Sequence, residues 1–268
     1  MTAKRRPGRY GLRFVALGYL AMLLLIPIGM ISYRAFEHGF AAARSSVTTP
    51  DALHAFYMTI VIAVIAVVAN TIFGVGCALL LVRSNFRGKA LLNAIIDVPF
   101  AISPVVVGLS LLLLYGRTGW FGDVFLNNGI QILFAMPGMV LATIFVSLPF
   151  VVREVVPVLH EIGDEQEQAA ETLGANWWQT FRRITLPAIR WGVAYGVVLT
   201  TARALGEFGA VAVVSGRISG QTETATLWVA REFGQFNTTG AYTASLVLAL
   251  IAVATLLAMN LFKRKEAS

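Results

Sequence analysis

Apolar residues fall in six long runs along this chain, separated by short polar stretches. The runs cover about 14–33, 56–82, 91–114, 130–152, 189–214 and 242–262. Each approaches or exceeds the roughly 20 residues with which an α-helix crosses about 30 Å of hydrocarbon. The pattern predicts an all-α membrane protein of six spanning helices, with residues 1–268 forming one transmembrane domain. The fourth run is interrupted by Pro137 and ends near Pro149. The first follows KRRPGR and precedes Ala41–Ala43, an arrangement like a signal peptide. Its apolar length exceeds the roughly 7–15 residues of such a peptide's core, and Glu37 and His38 intervene, so an uncleaved anchor is expected.

One polar stretch, EQEQAAETLGANWWQTFRRITLP from Glu165 to Pro187, stands apart between the fourth and fifth runs. Asp164 followed by Glu167 predicts a capping box that starts a short helix, after a break at Gly163. Glu165 and Glu167 set negative charge at its N-terminus, where the helix dipole favours it. Ala169, Ala170 and Leu173 share one face, and Gly174 stands where a left-handed residue would end the helix. Asn176, with Gln179 three residues on, predicts a second short helix carrying Trp177, Phe181 and Ile184 along one side. Pro187 then suits the first turn of the fifth span. So short a helix is marginal alone. It lies either against the bilayer or against a docking partner, and spacing leaves both open.

Composition agrees with the runs. The chain is 57% hydrophobic and 13% charged, about half the charge of a typical soluble domain. The net charge of +7 does not indicate nucleic acid, because the basic residues sit between the runs as orientation signals do. With both termini inside, fifteen of the 21 Lys and Arg residues lie on the inner side and five on the outer, with Arg203 inside a span. The inner set is Lys4, Arg5, Arg6, Arg9, Arg13, Arg83, Arg87, Lys89, Arg153, Arg182, Arg183, Arg190, Lys263, Arg264 and Lys265. Both termini and the connection 153–188 are therefore expected in the cytoplasm. Cys77 is the single cysteine, and no CxxC or Cys/His cluster points to a metal site.

Gln168-Ala169-Ala170, Gly174, Ile184 and Leu186-Pro187 resemble the EAA motif of ABC-importer permeases in residue type and spacing, with Gln168 where that family usually has Glu. Further stretches, FRGKALL (Phe86–Leu92), DVPFAISPVVVGL (Asp97–Leu109), PFVVREVVPVL (Pro149–Leu159) and ARALGEFGAVAVVSG (Ala202–Gly216), are similar to the sulfate/thiosulfate permease group, to its W subunit more than its T subunit. The resemblance covers about residues 10–262. It implies the type I ABC importer permease fold, in the bacterial cytoplasmic (inner) membrane. It also implies a coupling helix built from Gln168, Ala169, Ala170, Glu171, Gly174, Phe181, Ile184, Leu186 and Pro187, docking on an ATPase. The implied partners are a homologous T-type permease subunit, two copies of the ATPase, an external sulfate-binding protein and membrane lipid. No P-loop GxxxxGK[ST] occurs in the sequence, so ATP and Mg²⁺ are expected on the ATPase, with no cofactor and no catalysis in this chain. RALGEFGA is shared with molybdate permeases, which keeps a molybdate or tungstate permease as an alternative. An ATP-independent anion channel and an intramembrane enzyme are more distant ones.

Arg203 and Glu207, four apart in the fifth run, share a helical face. A charge at that depth is costly and tends to be paired or to face a water-filled path. Either Arg203 helps form an anion path, or the pair is a structural bridge. Asp97, Pro99, Ser103 and Pro104 are further path or gate candidates, because two prolines five apart free backbone groups that are tolerated where they line a cavity. An ordinary proline kink is the other reading. In the outer loop 215–239, Arg217, Trp228 and Arg231 are candidates for docking a binding protein, or belong to a helix at headgroup level.

Overall fold

A computed structural model describes residues 8–266, with side chains described for 13–257. Lys4, Arg5 and Arg6 lie outside the described residues, as do the side chains of Arg9, Lys263, Arg264 and Lys265. The described chain is helical with no strands. Its helices are α1 (Gly8–Phe36), α2 (Phe40–Val47), α3 (Pro50–Arg83), α4 (Lys89–Ala101), α5 (Pro104–Tyr115), α6 (Gly122–Asn127), α7 (Met136–Ile162), α8 (Glu165–Thr172), α9 (Trp177–Thr180), α10 (Leu186–Leu205), α11 (Val211–Val214), α12 (Ala225–Gly234) and α13 (Thr238–Glu266). A π-turn at Phe181–Thr185 joins α9 to α10. Five helices are long and apolar enough to cross a membrane, and α4 with α5 makes a sixth if the bent pair is one span.

α3, α7 and α10 form the centre, and close backbone approach binds them. A Cβ on Gly74 of α3 would stand 2.7 Å from the Val151 Cβ, and one on Gly196 of α10 would stand 2.7 Å from the Val151 Cα. Only glycine permits helices to meet this closely on both sides of one residue, and such contacts supply the packing that drives association in lipid. Halfway along, Asn70 donates from Nδ2 to the Ser147 hydroxyl and the Ile144 carbonyl. This polar clasp separates two apolar cores. One gathers Ile62, Val107, Met139, Val211 and Leu227. The other gathers Ala78, Ile96, Val155, Leu159 and Ile189. α1 packs on α13 at the periphery, with Phe14, Leu17 and Leu25 exposed, as lipid-facing residues are.

Three expected spans differ from their helices. The third run is two helices bent by 113° at Ile102–Ser103. Ser103 precedes Pro104, which disfavours helical backbone there and restarts the helix at its own first turn. The fourth starts only at Met136, with Pro137 in its first turn, and runs ten residues beyond Val152. That extension is helical because Val155 and Leu159 are buried in the second core. The fifth ends at Leu205, and the chain turns at Gly206–Ala210 before α11.

Candidate functional site

The polar stretch closes the end of the bundle where α3 and α7 finish. Gly163 and Gly174 take φ of +65° and +85° and delimit α8. Asp164 stands at the N-cap position but makes no side-chain cap, so the expected Asp164–Glu167 capping box does not form. Glu167 instead receives the Arg83 guanidinium, Nε to Oε2 at 2.8 Å, and the Thr185 hydroxyl on Oε1 at 2.7 Å. Arg83 also donates to the carbonyls of Leu159 and Gly163. A charge-assisted contact shared among four segments outcompetes a single cap to one backbone N–H. Arg83 thereby holds α8 and the π-turn onto the ends of α3 and α7.

The second capping box does form: the Asn176 side chain accepts from the Gln179 N–H, and the Gln179 side chain accepts from the Asn176 N–H. What it starts is not a separate helix, since α9 runs through the π-turn into α10 as one rod from Trp177 to Leu205. Pro187 explains the π-turn. Proline has no N–H for the carbonyl of Arg183, and its ring crowds that oxygen. A wider turn, in which the Leu186 N–H reaches back to the Phe181 carbonyl, relieves the conflict.

The outer surface of this assembly is apolar where water would demand otherwise. Leu173 is 88% exposed and Trp177 70%. Trp178 is exposed too, and Phe181, half-buried, stacks on Trp177 with ring centroids 5.7 Å apart. Gln168, Ala169, Glu171, Gly174, Leu186 and Pro187 are exposed beside them, and Ala170 and Ile184 are half-buried. Thr180 and Thr185 form the buried underside. A groove of about 740 Å³ runs between the aromatic ledge and α3, floored by Val75, Gly76 and Leu79.

Deeper in the bundle the two helix breaks meet. A Cβ on Gly209 would stand 3.0 Å from the Pro104 Cβ, and one on Gly108 would stand 2.8 Å from the Ala210 carbonyl. Glu207, 3% exposed, organises this junction. Its Oε1 accepts from the Ala210 N–H at 2.8 Å, its Oε2 lies 2.7 Å from Arg203 Nη1, and its carbonyl accepts from the Thr226 hydroxyl. The carboxylate thus holds the backbone just before α11, while the Arg203 side chain stays 30% exposed. Asp97 is paired with Arg153, which also donates to Asn93. Pro99 is buried and Ser103 is exposed at the start of α5, without capping it.

At the opposite end, the outer-loop residues separate. Trp228, expected on a docking surface, is 3% exposed and packs on Ala52, Ala55 and Ala244. Arg231 lies 3.1 Å from Glu223 and 3.3 Å from Glu232, and Glu232 also accepts from Asn237. Both residues therefore hold the loop from within. Burial pushes the Glu223 carboxyl above its ordinary value, against the pull of Arg231. Arg217 alone of the three is exposed, with its guanidinium on the Ala212 carbonyl. Periodicity gave no sign of the roles of Arg83, Arg153, Thr185 or Glu223. In the sequence, Arg83 and Arg153 stand out only as charges at the ends of runs.

Residues 70–267 match the family model described as binding-protein-dependent transport system inner membrane component. A sulfate transport system permease protein CysW of Synechocystis sp. is 50% identical over 96% of this chain and 93% of its own. The Escherichia coli (strain K12) protein of the same name is 47% identical over 94% and 87%. The CysT permease protein of that strain is 34% identical over 89% and 85%. Among solved structures, a bacterial ABC transporter involved in the import of the acidic polysaccharide alginate aligns with a TM-score of 0.79 over 96% of this chain and 94% of its own, at 18% identity. With matches of this extent, the chain belongs to the binding-protein-dependent transport system inner membrane components.

Proposed function

We infer that this chain is the transmembrane permease subunit of an ATP-driven sulfate/thiosulfate importer, forming half of the anion path and coupling it to a separate ATPase. The observation that carries the reading is the ledge of Leu173, Trp177 and Trp178, exposed beside Gln168-Ala169-Ala170 on a loop that Arg83 holds in place. An apolar surface so displayed at a fixed polar end suits a docking partner. The substrate reading is supported by relatives near 50% identity whose names specify sulfate. In this account both termini and residues 163–185 face the cytoplasm of a bacterial inner membrane. The ledge meets one of two ATPase copies, which bind ATP and Mg²⁺, and this chain performs no catalysis. A homologous T-type permease completes the path, and a sulfate-binding protein delivers from outside near Arg217. The single rod from Trp177 to Leu205 is suited to carry movement of the ledge to the junction of Pro104, Arg203 and Glu207.

The test is ³⁵S-sulfate uptake in cells lacking their own sulfate importer, supplied with this chain and its partner subunits. Uptake that needs ATP hydrolysis and resists excess molybdate is expected. Uptake abolished by equimolar molybdate would replace sulfate by molybdate, and uptake indifferent to ATP would make the chain a channel.

A further inference from the structure

Near the ledge, but on another face, lies a second cleft of about 500 Å³. Its polar lining is Arg87 and Lys89, from the connection and first residue of α4, Asn93 one turn on, and His160 near the end of α7. Leu81, Phe86 and Val156 form its apolar wall, and no carboxylate lines it. The neighbouring cations are otherwise engaged: Arg83 is held by Glu167, and Arg153 by Asp97. The side chains of Arg87, Lys89 and His160 have no hydrogen-bond or ion-pair partner among the described residues. Asn93 accepts from Arg153 through Oδ1, which leaves its amide N–H groups as donors. A cleft with two permanent cations, a histidine, an amide donor and no opposing acid is built for an anion.

Its position identifies the anion's source. Lys89 opens α4 just before the third apolar run begins at Leu91, so the cleft sits at the level where hydrocarbon gives way to headgroups. A free ion has no use for that apolar wall, whereas a phospholipid uses both parts at once. Basic pockets between spanning helices on the cytoplasmic side bind anionic headgroups, and the volume falls within the roughly 300–1,000 Å³ of small-molecule sites. We propose that the cleft of Arg87, Lys89, Asn93 and His160 is a binding site for an anionic phospholipid of the cytoplasmic leaflet, its phosphate on the cations and its acyl chains leaving along the wall of Leu81, Phe86 and Val156. The proposal uses the orientation given above and is independent of the sulfate and ATPase readings.

The test is native mass spectrometry of the delipidated permease complex titrated with phosphatidylglycerol or phosphatidylcholine. Selective retention of phosphatidylglycerol is expected. An Arg87→Gln/Lys89→Gln double variant should bind it about thirty-fold more weakly, since each basic residue near a charged surface contributes about fivefold. Arg87→Lys/Lys89→Arg, which keeps both charges, should retain it, as should Arg217→Gln at the opposite end. Equal retention of the two lipids, an unchanged double variant, or displacement of the lipid by millimolar inorganic phosphate would each overturn the site.

Discussion

The two polar ends of this bundle use the same device and reach opposite outcomes. At one end Arg83 grips Glu167, and at the other Arg231 lies between Glu223 and Glu232. Each arginine fixes a loop on the helix ends. Around Arg231 the large aromatic Trp228 is turned inward onto alanines, so ion pairs and apolar burial stabilise the same loop. Around Arg83 the apolar side chains are turned outward, leaving Leu173 and Trp177 displayed on a held frame. The contrast is between the two loops and not the whole ends, since Trp120 and Phe236 are also exposed on the Arg231 side: one loop buries its tryptophan, and the other holds its backbone firmly and displays its tryptophans.

The largest effect expected from breaking this contrast is at the tryptophans. Trp228→Ala leaves a cavity among Ala52, Ala55 and Ala244 and should cost about 3–5 kcal/mol, read as an early thermal transition in detergent. Trp177→Ala removes little that the chain itself packs, and should shift the same transition by less than about 0.5 kcal/mol. Equal losses at both positions would erase the distinction.

A smaller effect is expected at the grip itself. Arg83→Gln leaves the mostly buried Glu167 carboxylate with only the Thr185 hydroxyl and frees the Leu159 and Gly163 carbonyls. About 2 kcal/mol should be lost, at the low end for a broken buried pair because both side chains keep some exposure. Protease cleavage between residues 163 and 176 should become faster. The double-mutant cycle with Glu167→Gln should show coupling of about 1 kcal/mol, and additivity would mean that the pair does not hold the loop.

The smallest effect concerns Glu223. Its carboxyl is raised by burial, so the stability that its neutral form contributes is complete below the ordinary carboxylate range and is lost as pH rises through the raised value. Hydrogen-exchange protection at the start of α12 should therefore fall as pH increases from mildly acid values, after correction for intrinsic exchange. It should lose that slope in Glu223→Gln. A slope of the opposite sign would mean that Arg231, and not burial, governs the group.

Much of this was legible in the sequence where the deciding contacts are local. Run length depends on the chain's own hydrophobicity, and the Asn176–Gln179 box closes within four residues, so both are readable. The break at Pro104 follows from proline, whereas the turn after Leu205 falls inside what reads as one apolar run, and the 113° bend and the meeting of the two breaks depend on packing. Asp164 and Glu167 looked like a box for equally local reasons, yet a partner 84 residues away, Arg83, claimed the glutamate. Trp177 and Trp228 sit in similar apolar–polar mixtures. Their burial is decided by α3 and α13, which no window around either tryptophan contains.

The most direct measurement is capture of a co-expressed ABC ATPase by this chain and its partner permease in detergent. Wild type should retain the ATPase stoichiometrically, Leu173→Asp/Trp177→Asp should retain at most about a tenth as much, and Arg217→Gln on the opposite end should behave as wild type. Undiminished capture by the Leu173→Asp/Trp177→Asp variant would contradict the claim that the displayed ledge is the docking surface.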